Sequence, residues 1–226
     1  MVKYKLITKE RYIKIENHEG ERFVDYINDN QFQFESGKVY GIIGEHGEGG
    51  EIISSFMSGR IKTDCSLLKN SDLLSYDDIK KIGWYVGKKE INSFHMEISA
   101  RKALKKAIKC SDRYENIEQV IEEFGLTEDR LDLKISWYSG ERMRVSLAIG
   151  YASNKKLFCF PWMNSNDLYH IFQSTHLMRF FDKLRADGCI VIIPTCRKEA
   201  IENVVDEIIE IANPEFKKIL HDEKQD

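Results

Sequence analysis

Gly44 and Gly49, in the run Val39-Tyr40-Gly41-Ile42-Ile43-Gly44-Glu45-His46-Gly47-Glu48-Gly49-Gly50-Glu51, have the spacing of a phosphate-binding loop. An intact loop reads G-x-x-x-x-G-K-[ST]: backbone N–H groups wrap the phosphates, the lysine reaches the β/γ oxygens and the hydroxyl holds Mg²⁺. Here Gly50 stands in the lysine position and Glu51 in the hydroxyl position. Glu45, Glu48 and Glu51 oppose any anion placed there. Two unit charges about 4 Å apart at an effective dielectric near 20 interact by roughly 4 kcal/mol, so one unscreened carboxylate offsets much of what a helix N-terminus offers a phosphate. A glycine-rich turn with no nucleotide chemistry is the competing reading. His46 reads as a polar surface residue, since no second ligand accompanies it at metal spacing, and no metal site is expected.

The loop needs a strand before it and a helix after it. The apolar runs Val39–Ile43 and Ile52–Met57 supply them. Upstream, alternation from Tyr4 to Phe34 suggests a small antiparallel sheet that reaches the Val39 strand through the turn Ser36-Gly37. Downstream, Ile82–Val86 reads as a buried strand. Ser99 then caps a helix to Ile108, and Ile117–Phe124 forms a second helix closed by Gly125, which together make a helical lobe. The α/β pattern resumes with a helix over Glu141–Ala152 and a strand over Leu157–Phe160. One long helix over Leu168–Leu184 and a strand over Cys189–Ile193 follow, then a helix from Lys198 and a strand over Glu207–Ile211. Strands alternating with helices imply a parallel sheet covered on both faces. The polar tail from Asn213 is expected to be mobile.

At 226 residues the chain can bury a sizeable core, and one domain with an inserted lobe is expected. A net charge of −3 argues against nucleic acid or an anionic membrane as electrostatic partner. Lys102, Lys105, Lys106 and Lys109 recur at helical spacing and read as a solvated face. Cys65, Cys110, Cys159, Cys189 and Cys196 are odd in number and contain no C-x-x-C pair, so neither a disulfide framework nor a zinc site is signalled. A reducing cytosol fits. The charged N-terminus has no signal-peptide core, and no run approaches the roughly 18 apolar residues of a membrane span, so any membrane role is expected to be peripheral.

The block Trp137-Tyr138-Ser139-Gly140-Glu141-Arg142-Met143-Arg144-Val145-Ser146-Leu147-Ala148 resembles the signature L-S-G-G-[EQ]-x-x-R-hydrophobic of ATP-binding cassette (ABC) transporter nucleotide-binding domains. Loop, helical lobe, signature and late strands fall in that family's order over nearly the whole chain. The resemblance implies a RecA-like, P-loop NTPase fold: a mostly parallel sheet, an N-terminal antiparallel β part and an inserted α-helical part. Residues 1–226 would form one domain, with roughly 1–90 and 150–226 as α/β core and roughly 91–149 as helical lobe and signature region.

Compared with the family, the catalytic positions are replaced. Pro161 and Trp162 follow the strand where the family has Asp-Glu, Gly87 stands near the usual glutamine, and Cys196 replaces the switch histidine. Asn164-Ser165-Asn166-Asp167 occupies the coupling-loop position. Aligned without a gap, Tyr138 takes the signature's serine position and Ser139 and Gly140 its glycine positions; with one residue deleted, Ser139 and Gly140 keep the signature's roles, and a helix N-terminus with Ser139 merely as cap is the competing reading. Lys88 and Lys89 read as solvated loop lysines, Trp84, Trp137 and Trp162 as packing residues. Phe23 reads as core, with stacking on adenine as the alternative that the resemblance raises.

The family uses ATP and Mg²⁺, whereas no cofactor is expected on this chain alone. The resemblance thus implies a degenerate, non-hydrolysing subunit on the cytoplasmic membrane face. Its partners would be a membrane-spanning subunit and a second, intact ATPase subunit or a second copy, with no nucleic acid. A weak ATPase completed by a partner chain, and a free-standing interaction protein, are the alternatives. Restoring Gly50→Lys and Glu51→Ser is expected to recover some nucleotide binding but no hydrolysis.

Overall fold

The computed structural model describes residues 1–16, 20–138 and 141–211, apart from the side chains of 173–175. Its centre is a five-stranded, all-parallel sheet in the order β11-β5-β10-β9-β8, built from β5 (Val39–Ile43), β8 (Gly83–Tyr85), β9 (Leu157–Cys159), β10 (Ile190–Thr195) and β11 (Glu207–Glu210). Alternation along β10 builds both cores at once. Ile190 and Ile192 join Tyr40, Ile42 and Cys159 on one face, while Val191 and Ile193 join Val39, Phe158 and Phe160 on the other. Side chains two apart on a strand share a face, so continuous apolar strands mark a sheet buried on both sides.

The first face carries α1 (Gly50–Met57), which is buried along its whole length, and the antiparallel sheet β4-β1-β6-β7. That sheet pairs β1 (Lys3–Thr8) with β4 (Asn30–Glu35) and β6 (Ser66–Lys69), and β6 with β7 (Asp72–Leu73). Between β1 and β4 the chain forms a separate hairpin, β2 (Arg11–Glu16) with β3 (Arg22–Ile27). A helix α2 (Tyr76–Ile82), capped by Ser75, leads into β8. The Ser75–Asp78 cap announces it; α2, β6 and β7 are additions to the elements expected from the sequence.

The second face packs against the helical lobe. Ser99 caps α3 (Ala100–Lys109) as expected, accepting a hydrogen bond from the Lys102 backbone N–H. The helix buries Ala100, Ala103, Leu104 and Ala107 and leaves Lys102, Lys105, Lys106 and Lys109 in solvent. Gly125 closes α4 (Ile117–Phe124) in the left-handed region, φ 56°, a conformation that glycine reaches without steric cost. The lobe meets the core through α5 (Arg142–Ala152), buried from Met143 onward.

Two expectations are corrected. The single helix over Leu168–Leu184 is two, α6 (Ser165–Thr175) and α7 (Met178–Ala186), broken at His176 with φ 50°. At roughly 100° per residue a continuous helix would place Leu177, Phe180 and Leu184 away from the face of Leu168 and Phe172. The break turns both sets into the same core. The helix from Lys198 is only one tight turn, Lys198–Ala200. Ile201 and Val205 then pack beneath Gly41, and Asp206 accepts from the Val39 backbone N–H at 2.7 Å to start the edge strand. The tail from Asn213 lies outside the described residues.

Candidate functional site

Strand β5 delivers the loop to the carboxyl edge of the sheet, where Gly44 is tied to its neighbours on both sides. Its N–H donates to the Thr195 carbonyl at 3.0 Å, and its carbonyl accepts from the Trp162 indole N–H at 3.0 Å. Inside the loop, the Glu45 backbone N–H donates to the Glu48 carboxylate at 2.8 Å. Gly49 has φ 99° and lies so near the Tyr26 carbonyl that an added Cβ would come within 2.8 Å of it. That position requires glycine for both reasons.

The first turn of α1 is already occupied. Gly49 and Ile52 donate their backbone N–H groups to the two oxygens of Asp25, at 2.7 and 2.8 Å. Asp25 sits on β3 and is 1% exposed. Burial is the largest influence on its carboxyl and raises its pKa to about 6, opposed by hydrogen bonds from Gly49, Ile52, Tyr26 and Glu51 backbone groups. Asp25 belongs to none of the motifs in the sequence. Its signal was available: Phe23, Asp25 and Ile27 alternate on one face of a strand, and a lone carboxylate in an inward row needs donors.

Glu51 is turned into the core rather than toward the loop mouth, with 1% exposure. One oxygen accepts from the Tyr85 hydroxyl at 2.5 Å, Ser55 at 3.1 Å and the Arg60 guanidinium at 3.3 Å; the other accepts from the Trp162 backbone N–H at 2.7 Å. Burial outweighs these bonds and pushes its pKa up to about 7. The Glu51 carboxylate thus joins α1 to the ends of β8 and β9. Gly50 is hemmed in, because a Cβ there would lie 3.0 Å from the Pro194 Cβ and 3.1 Å from the Trp162 ring. A side chain at position 50 therefore requires Pro194 and Trp162 to give way by a few tenths of an ångström, a cost that Gly50→Lys must meet.

Above the loop, His46 lies between Phe23 and Trp162, with ring centroids 4.1 and 4.9 Å away. Partial burial lowers its pKa, with Glu21 opposing. Phe23 is half-buried and packs on the loop itself instead of on the deep core. Among the described residues no group of three or more His, Cys, Asp or Glu is placed to hold a metal ion.

The architecture has close counterparts among solved structures. The chain shares 14% identity and a TM-score of 0.61 with cbiO1 of Clostridium perfringens, part of the ABC transporter complex cbiONQ, over 91% of this chain and 84% of that one. An ATP-binding subunit of an ABC transporter matches at 14% identity and TM-score 0.64, over 92% and 85% of the two chains. MJ1267, an ATP-binding cassette of an ABC transporter in its ADP conformation, matches at 16% and 0.62, over 93% and 87%. The fold is that of ABC transporter ATP-binding subunits. No protein-family model and no curated protein sequence matches the chain.

The remaining expected positions are distributed around this fold. Pro161 and Trp162 follow β9; Pro161 is buried and Trp162 reaches the loop. Gly87, φ 89°, is wedged against α5: its N–H donates to the Ser146 hydroxyl at 2.7 Å, and a Cβ would lie 2.8 Å from the Met143 sulfur. Cys196 is half-buried with its sulfur 3.3 Å from the Ser165 hydroxyl. Asn164 caps α6, accepting from the Asp167 N–H at 2.9 Å. Lys88 and Lys89 are exposed, in line with their reading as loop lysines.

In the signature block, Tyr138 is buried and donates its hydroxyl to the Arg130 carbonyl at 2.5 Å. Glu141 accepts from Arg130 at 2.8 Å and from Arg144. Ser139 and Gly140 lie outside the described residues. Of the three tryptophans, Trp84 is buried and bonded to Ser146, Trp162 packs on the loop, and Trp137 differs by being 64% exposed.

Proposed function

We propose that this chain is a nucleotide-binding-domain subunit of an ABC-type transporter that does not hydrolyse nucleotide and serves as a structural or regulatory partner on the cytoplasmic membrane face. One observation carries the reading: the N–H groups at the start of α1 are committed to Asp25, in a loop with no lysine. Phosphoryl transfer depends almost wholly on positioning and electrostatic stabilisation. Here the lysine position is a crowded glycine, the hydroxyl position is a buried carboxylate, and Pro161 and Trp162 offer neither a metal ligand nor a base. Gly87 and Cys196 add none. Residues 1–226 act as one domain, with the lobe at roughly 91–149 inserted in the α/β core.

The partner surface in this reading includes the segment after Gly87, where Ile91, Phe94 and Met96 are exposed, together with the exposed Trp137. The Glu97 carboxylate joins the two segments by accepting from the Ser136 N–H and hydroxyl at 2.7 and 2.6 Å. An exposed apolar rim of this kind favours contact with a helix of a membrane-spanning subunit. A homodimer would bring Glu45 and Glu48 into both sites with no nucleotide between them, so an intact second ATPase subunit is the better match, with Ser139 and Gly140 meeting its nucleotide. No helix among the described residues is long and apolar enough to cross a membrane.

Calorimetry of the purified chain with Mg·ATP at millimolar concentration tests the site. No binding is expected; a one-to-one complex with a dissociation constant of micromolar order, about −8 kcal/mol, overturns the reading. Co-expression with a membrane-spanning protein and an intact ATPase encoded beside it tests the role. A stable complex is expected whose ATPase activity falls on Ser139→Arg.

A further inference from the structure

We infer that the Asp25 carboxylate is the internal counterpart of a bound phosphate: it closes the glycine loop on α1, excludes an external polyphosphate, and clamps the β2–β3 hairpin to the core. The inference deepens the proposed function and rests on its reading of the loop as a phosphate-type cradle.

The N-terminal N–H groups of a helix lack intrahelical partners and carry partial positive charge, so they require either an anion or water. Asp25 gives them a carboxylate with one oxygen on Gly49 and the other on Ile52. At 1% exposure it leaves no approach for a competitor. The neighbouring loop N–H, that of Glu45, is satisfied by the loop's own Glu48. The other Glu48 oxygen is buried without a hydrogen-bond partner, which adds a further obstacle to a second anion. The N–H groups of Glu45, Gly49 and Ile52 are thus met by the chain's own carboxylates.

The hairpin explains why a carboxylate from β3 does this. Among the described residues β2 and β3 form a two-stranded sheet of their own, joined to neither larger sheet, and an isolated hairpin is marginal in water. Beyond the packing of Ile13 on the core, its attachments gather on the loop and α1. Phe23 packs on His46, Asp25 holds the first turn of α1, the Tyr26 N–H donates to the Gly47 carbonyl at 2.9 Å, and Ile27 lies against Gly49. The ion pair of Arg11 with Asp64, 2.7 Å, is a further tie, with the Asp64 carboxylate exposed. Of these contacts only Asp25 combines burial with charge-assisted bonds, the stronger kind of hydrogen bond.

Amide hydrogen exchange on the full chain, with and without sodium pyrophosphate, tests the inference in wild type, Asp25→Asn and Asp25→Ala. Loop and hairpin amides from Phe23 to Ile27 and Gly47 to Ile52 are expected to exchange roughly tenfold faster or more in both variants, while β10 amides stay protected. Wild-type exchange should be indifferent to pyrophosphate. Should Asp25→Ala lose β10 protection as well, Asp25→Asn, which removes the charge and keeps the shape, decides alone. Unchanged loop exchange in Asp25→Asn, or pyrophosphate protection of the wild-type loop, overturns the inference. The former result leaves the subunit proposal standing, whereas a chain that forms no complex with a membrane-spanning partner defeats that proposal and leaves the clamp intact.

Discussion

The starts of α1 and α5 are both helix N-termini carrying glutamate, yet one is sealed and the other lies beside an open rim. At α1, Asp25 and Glu51 are each 1% exposed and hydrogen-bonded to backbone or core groups. At α5, Glu141 pairs with Arg130 and Arg144 nearer the surface, and Trp137 stands in solvent. Burial makes the difference. A carboxylate removed from water must be matched donor by donor and becomes expensive to disturb, whereas a partly solvated ion pair is worth little. The sealed end has structural consequences for the whole core, while the open end is free to meet something else.

The largest expected effect is at the sealed end. Glu51→Ala removes the acceptor of the Tyr85 hydroxyl and the Trp162 N–H and is expected to lower unfolding free energy by about 3–5 kcal/mol, measured by urea titration. A loss below about 1 kcal/mol would show that the two ends do not differ.

The pH dependence sharpens the same point. Between about pH 4.5 and 7 the folded chain holds a proton on Glu51 that the unfolded chain releases, so stability falls as pH rises through that window, by about 3 kcal/mol. Asp25 contributes in the same direction between the ordinary aspartate value near 3.8 and about 6. Glu51→Gln should flatten the upper part of the profile and leave the lower part; an unchanged profile would assign the titration elsewhere.

Gly50→Lys comes next. A Cβ added there would lie 3.0 and 3.1 Å from Pro194 and Trp162, which predicts a loss of about 1–3 kcal/mol from overpacking and no gain of ATP binding. Recovery of binding in calorimetry would mean that the loop opens more readily than its packing implies. The smallest effect belongs to the open end: Trp137→Ala should change stability by less than about 0.5 kcal/mol. A larger loss would make Trp137 a packing residue after all.

Much of the architecture was legible because its signals are local. Ser99 and Gly125 mark helix ends through backbone chemistry that neighbours in sequence can express, and β5 and β10 declare two-sided burial by their apolar runs. The strand–loop–helix around Gly44 and Gly49 was readable for the same reason. The division of Leu168–Leu184 was not, since it depends on which face each half must turn toward the core. The single turn after Lys198 likewise answers to the packing of Ile201 and Val205 under Gly41.

The site follows the same rule. The residue types alone determined that the loop lacks a lysine and a hydroxyl, that Pro161 and Trp162 carry no metal ligand, and that the loop's own charge is negative. Only the tertiary structure decided what takes the place of that missing chemistry. Asp25 lies on a hairpin distant in sequence, Tyr85 ends β8 and Trp162 lies in the segment after β9, so no spacing along the chain reveals that they converge on Gly49, Ile52 and Glu51. A buried carboxylate is defined by the donors that folding brings to it, and those donors exist only once β3, β8 and β9 have met α1.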